Sequence, residues 1–144
     1  MATPDPVPAL TDEDPLARFI LSEYHFAATK NRVKPAAFLP LPDGTTSVFA
    51  IRSLLEGDVW ELGQVFVATP GRRTLRARAD TAVRDVKAAS LQVVLDNTPP
   101  RHANIAGWPA EKSARKLCAE ELAASATLNL APAALSGSPS LQSS

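Results

Sequence analysis

Apolar and polar positions along the chain recur in two rhythms, one near about 3.6 residues and one near about 2, and the switches between them mark the predicted elements. In "TDEDPLARFILSEYHF", Leu16, Phe19, Ile20 and Tyr24 fall at helical spacing. Asp14 suits an N-cap and Pro15 the first helical position, so a helix is predicted there. Two short β-prone runs follow, Ala36 to Leu39 and Ser47 to Ile51, on either side of Pro42-Asp43-Gly44. Proline presets one turn dihedral and glycine tolerates a positive one, which predicts a hairpin. Pro35, Pro40 and Pro42 make its first arm an edge strand. A helix is expected over 59–68, capped by Asp58 and ended by Pro70-Gly71, although Gly63 and the β-formers Val65, Phe66 and Val67 oppose it.

"RTLRARAD" alternates: Leu75, Ala77 and Ala79 face one way and Arg76, Arg78 and Asp80 the other, as in a half-buried strand. "TAVRDVKAAS" predicts a short helix with Val83 and Val86 inward, "LQVVL" a strand and "ANIAG" a last short strand. A final helix is expected from about Pro109 to about Thr127, with Ala114, Leu117, Cys118, Leu122 and Ala126 as its apolar stripe and Glu111 and Arg115 spaced for an ion pair. The order α-β-β-α-β-α-β-β-α defines an α+β fold: a single domain, with a small mixed or antiparallel sheet covered by about four helices.

Composition sets the outer bounds. A chain of 144 residues suits one domain, and 45% hydrophobic with 21% charged residues is ordinary globular usage. Residues 1–11, rich in proline, are expected to be a flexible lead-in. The folded domain is expected over 12–128, and 129–144, rich in Ser, Ala and Pro, is expected to be a disordered tail. No apolar run is long enough to span a membrane, and the first residues lack the pattern of a secretory signal. The single Cys118 has no partner for an internal disulfide, so a cytoplasmic setting and no membrane partner are expected. Fifteen basic and fifteen acidic residues cancel, which argues against bulk electrostatic binding of nucleic acid.

"TPPRHANIAGWPAEK", residues 98–112, concentrates the unusual chemistry. Two prolines stiffen the approach to Arg101 and His102, and Asn104 lies one strand period beyond His102. One reading is a recognition surface made of Arg101, His102, Asn104 and Trp108. The other is a fold corner, with His102 and Asn104 bonded to nearby backbone and Trp108 closing the core. The second histidine, His25, sits among Glu23, Lys30, Asn31, Arg32 and Lys34. Paired with His102 it would make an acid–base site for phosphodiester chemistry; on its own it is a helix end in a solvated loop. Arg72, Arg73, Arg76, Arg78 and Arg84 form a basic cluster in a neutral chain. Arg76 and Arg78 share one strand face, suited to phosphates or an acidic partner, or simply solvated. Cys118 reads as a structural thiol. No phosphate-cradling glycine loop, serine elbow, paired-cysteine spacing or His-Glu-x-x-His is present, so neither metal nor cofactor is expected.

"VKPAAFLP", "WELG", "RADTAVRDVKAASLQVV" and "RHANIAGWP" together resemble a pattern shared by small bacterial proteins of no established activity, over roughly residues 18–127. The resemblance implies a one-domain cytoplasmic protein and supplies no catalytic residue. The expectation is therefore a non-enzymatic binding or accessory protein of a bacterial multi-gene system. It would recognise a protein partner through Arg101 to Trp108 and the face of Arg76 and Arg78. The alternative is an enzyme acting on nucleic acid or a nucleotide, with His25 and His102 as acid and base; nucleic-acid binding without chemistry is a weaker reading.

Overall fold

The computed structural model describes residues 4–133. Its strands are β1 (Pro15–Ile20), β2 (Phe26–Ala27), β3 (Arg32–Val33), β4 (Thr46–Ala50), β5 (Ala77–Ala82), β6 (Gln92–Leu95), β7 (His102–Ala106) and β8 (Thr127–Leu130). Its helices are α1 (Glu56–Gly63), α2 (Val83–Ala88) and α3 (Lys112–Ser125); single 3-10 turns occupy Glu23–His25, Ala28–Lys30 and Pro35–Ala37. Six strands form one sheet in the order β6-β7-β4-β1-β5-β8, every neighbouring pair antiparallel, and β2 with β3 makes a separate ribbon. The α+β class stands, with an antiparallel sheet and three helices among the described residues rather than four.

The missing helix is β1. Leu16, Ala17, Phe19 and Ile20 are all buried, because β1 lies in the middle of the sheet and is covered on both faces. A strand buried on both sides reads as a continuous apolar run, which spacing alone does not separate from a helix stripe. Pro15 takes the first position of a strand, another place where its missing N–H costs little. Asp14 does cap, but backward: its Oδ2 accepts from the Thr11 backbone N–H at 2.6 Å and from Arg52 Nη1 at 3.1 Å, tying down the turn before the strand.

On one face, Leu16, Val48, Ala79 and Ile105 pack under α2, α3 and the turn at Pro35–Ala37 in the larger core. On the other, Ala17, Phe19, Phe49 and Leu75 pack under Val59, Trp60 and Leu62 of α1 and under Ala68 in the wide helical turn Gln64–Ala68 that continues it. The expected helix over 59–68 is thus present with its start at Glu56. Its glycine has a packing reason: a Cβ built on Gly63 would stand 2.5 Å from two carbons of the Phe19 ring.

Other expectations are adjusted by the same packing. The Pro42-Asp43-Gly44 turn forms, with Gly44 at φ +86° and Thr45 N–H donating to Asp43 Oδ1, but its first arm is the 3-10 turn Pro35–Ala37 rather than a strand. The buried side of α3 is Ala119, Leu122 and Ala123, whereas Leu117 is 61% exposed. The Glu111–Arg115 ion pair is replaced by bonds from Arg115 Nη1 to the Pro109 and Ala110 carbonyls. The lead-in is not loose throughout: Val7 is buried, and its N–H and C=O both bond to the Asn97 side chain. Asn129 and Leu130, expected in the tail, pair with Arg78 and Ala77 in β8; the tail from 134 onward lies outside the described residues.

Gly63→Ala is expected to destabilise by about 1–3 kcal/mol through overpacking. Gly57→Ala, in the same helix with nothing within 4 Å of its built Cβ, should be neutral or stabilising. Urea denaturation of the two variants checks the contrast.

Candidate functional site

The corner at 98–106 is held from inside. Arg101 has φ +76°, and Asn97 Oδ1 accepts its N–H at 3.0 Å. Its guanidinium donates to three carbonyls, those of Asp5 (2.9 Å), Ala50 (3.2 Å) and Arg52 (2.7 Å). The expectation that Arg101 projects toward solvent is therefore corrected: it joins the lead-in, the end of β4 and the following turn. Trp108 is half-buried against the larger core and donates its indole N–H to the Ile105 carbonyl.

His102 and Asn104 point elsewhere. In β7, Ala103 and Ile105 enter the larger core, so His102 and Asn104 lie on the opposite face. Register places Asn104 opposite Ser47 and His102 opposite Phe49. His102 Nδ1 is 2.8 Å from Asp96 Oδ1 and Nε2 is 3.1 Å from Ser47 Oγ, while the ring stands edge-on to Phe49 at 5.3 Å. Asn104 Nδ2 donates to Asp96 Oδ2 at 3.1 Å. Burial alone would raise the Asp96 carboxyl, but the Thr98 N–H, His102 and Asn104 together hold it below its ordinary value. An ionised carboxylate only accepts, so Nδ1 carries a proton and Nε2 is the nitrogen that faces the Ser47 hydroxyl.

His25 has other surroundings. Burial lowers its pKa, helped by the charges of Arg18 and Arg73, and it shares no hydrogen-bond partner with His102. No hydrogen bond or ion pair joins the two histidines among the described residues.

The two arginines expected on one strand face, Arg76 just before β5 and Arg78 within it, part company. Arg76 is exposed and donates to the Leu21 carbonyl. Arg78, expected on a solvated face, is 4% exposed because α1 covers that side of the strand. It makes a fork with Glu56 at 2.8 and 3.0 Å, donates through Nε to Asp80 at 3.0 Å, and lies 4.8 Å from the centre of the Trp60 ring. Trp60 Nε1 also donates to Glu56. Arg78 thus pins α1 to the sheet and is unavailable to a partner.

A second group of cations lies on the other face. An open groove of about 1050 Å³ runs between α3 and the Pro35–Ala37 turn. Pro35, Ala36, Leu39 and Pro40 make its apolar floor; Arg32, Lys34, Lys112, Arg115 and Lys116 ring it against one carboxylate, Glu111. A neighbouring hollow continues it past Pro40 to Trp108, and another continues it past Pro35 to Glu120 and Ala124. Sequence reading missed this trough. Its residues come from two separated segments, and the signal present was only "VKPAAFLP" followed by proline, too rigid and too interrupted for a strand. Ser47 and Asp96 were missed because strand pairing alone brings them to His102.

No family model, curated protein or solved structure matches the chain.

Arg78→Ala is expected to cost about 3 kcal/mol by stranding Asp80, against less than about 1 kcal/mol for exposed Arg76→Ala, as read by chemical denaturation. Stability against pH checks the network from the other side. The hydrogen bond from Arg78 holds Glu56 below its ordinary value near 4.5, so its contribution is full above that pH and is lost as pH falls through the lower folded value. Burial holds Asp80 above its ordinary value despite Arg78, so its contribution has the opposite sign. Glu56→Gln should flatten the acid limb of the stability curve and Asp80→Asn should steepen it.

Proposed function

We propose that the protein is a binding module that captures an acidic, amphipathic segment of a partner protein in the trough along α3. The observation that carries this reading is the pairing of an apolar floor with a cationic rim. Five of the chain's fifteen lysines and arginines line one groove of a molecule with zero net charge. An amphipathic helix meets both demands at once, with apolar side chains on Leu39 and the prolines and carboxylates toward the lysines. The groove's size and its continuation toward Trp108 and Ala124 suit a peptide better than a small ligand, whose sites run to about 300–1000 Å³. A track for nucleic-acid phosphates needs the cations but not the apolar floor. Among the expected contact residues, Trp108 keeps a place in this reading, at one end of the trough, while Arg101 and Arg78 serve the fold. No helix among the described residues is long and apolar enough to cross a membrane.

Amide NMR titration with an acidic amphipathic helical peptide tests the proposal. Shifts are expected around residues 32–40 and 108–116, with affinity falling at least about tenfold in Lys112→Glu/Lys116→Glu and falling with salt. A lysine-for-glutamate version of the peptide should not bind. Equal binding of both peptides, shifts confined to other surfaces, or binding of anionic vesicles in place of the peptide would overturn it.

A further inference from the structure

We propose that Ser47 is a nucleophile for acyl transfer from small esters, with His102 as its base, Asp96 as the group that orients the base, and Asn104 as an oxyanion donor. The four side chains come from β4, the end of β6 and β7 and converge on the sheet face opposite the trough. This activity goes beyond peptide capture and uses none of its residues.

The chain of contacts has the polarity that nucleophilic catalysis needs. Asp96 accepts from His102 Nδ1–H at 2.8 Å, and its second oxygen is held by Asn104, so the carboxylate is fixed at both ends. The Nε2 lone pair then receives the Ser47 hydroxyl proton along the 3.1 Å contact. Phe49 braces the edge of the imidazole and is itself stacked against Phe66, which restricts the ring to the orientation that serves Ser47. The Ser47 carbonyl is fixed from the far side of the strand by Arg18 Nη1 at 3.0 Å. Directly opposite Ser47 in the ladder, the Asn104 amide spends one N–H on Asp96, leaving the other for an oxygen gaining charge beside Ser47.

In the reaction, Ser47 Oγ attacks the ester carbonyl carbon while His102 Nε2 takes the hydroxyl proton. The carbonyl–alkoxide bond breaks, the alkoxide leaves with that proton, and Ser47 holds the acyl group as an ester. Water attacks the acyl carbon, gives its proton to the same ring, and the carboxylic acid departs as Ser47 Oγ recovers the proton. The cluster is partly buried, with the His102 side chain 14% exposed, and Val94, 49% exposed, is its apolar neighbour across from Asn104, which suits short acyl groups.

The test uses the full chain with p-nitrophenyl acetate and a fluorophosphonate, followed by intact mass and peptide mapping. One adduct on Ser47 is expected, with a labelling rate that rises with pH, as base-assisted attack requires. Ser47→Ala should abolish the adduct. His102→Gln, which keeps hydrogen-bonding capacity without a base, should slow labelling at least about 100-fold while thermal melting shows a folded chain. An adduct on lysine rather than Ser47 would overturn the proposal, as would a His102→Gln rate equal to that of the unmodified protein. The wild-type mapping decides the matter even if a variant fails to fold. Neither probe requires the trough, so failure of peptide capture and failure of this chemistry are read separately.

Discussion

A strand buried on both faces needs cover on both, and the burial of β1 between two layers is the constraint from which most of this structure follows. The larger core has α2, α3 and a 3-10 turn to cover its side. Among the described residues, the helical cover of the opposite side is α1 and the wide turn after it. One short helical segment covers about the width of two or three strands, since strands lie about 4.8 Å apart and a helix with its side chains is about 10 Å across. It is placed over β1 and β5, where Phe19 and Arg78 are. Close approach there requires Gly63 to lack a side chain, and Arg78 replaces solvent with a fork, a second carboxylate and an indole face. The β4–β7–β6 half of the same face receives less cover, and there the outward residues are Ser47, His102 and Asn104, polar groups that bond to each other and to Asp96.

Charge is sorted by the same geometry. The arginines near the sheet are consumed: Arg78 by carboxylates, Arg101 by three carbonyls, and Arg18 by the carbonyls of Ala37 and Ser47, with no acidic partner among the described residues. A guanidinium keeps its charge even where burial lowers its pKa, as it does for Arg18, and its planar fork satisfies several acceptors at once. Arginine therefore works as an internal fastener in this small core. Three of the five cations on the trough are lysines, whose compact, strongly hydrated charge suits a rim in water.

How much could be read beforehand follows from what each signal measures. Alternation located β5 and its core-facing alanines Ala77 and Ala79, although Leu75, expected beside them, lies before the strand and packs in the opposite core, and helical spacing located α2 and α3. Both patterns report one buried face, and they misled where a second face was buried. Thus β1 resembled a helix, and Arg78 looked solvent-facing because nothing local announces that α1 lies over it. The corner at 98–108 was legible as unusual, and its internal bonding was one of the two readings its residues allowed. The composition of that stretch does not reveal that Arg101 turns back to Asp5, ninety-six positions earlier in the chain. Ser47 is an ordinary serine in a β-prone run until register sets it across from Asn104.

The two candidate surfaces occupy opposite faces of the sheet, yet they are mechanically joined through Arg18. Its Nε holds the carbonyl of Ala37, at the end of the turn whose Pro35 and Ala36 floor the trough, and its Nη1 holds the carbonyl of Ser47 itself. Side chains alternate across a strand but the carbonyls lie in its plane, so one guanidinium reaching through the larger core touches the backbone that presents both. The turn at Pro35–Ala37 and the backbone of Ser47 thus share the hydrogen bonds of one guanidinium. Close-packed interiors pass shifts on rather than absorbing them. Arg18 is therefore the element through which the two faces of this sheet are positioned relative to each other, and a neutral side chain of similar volume would pack in its place without making that connection.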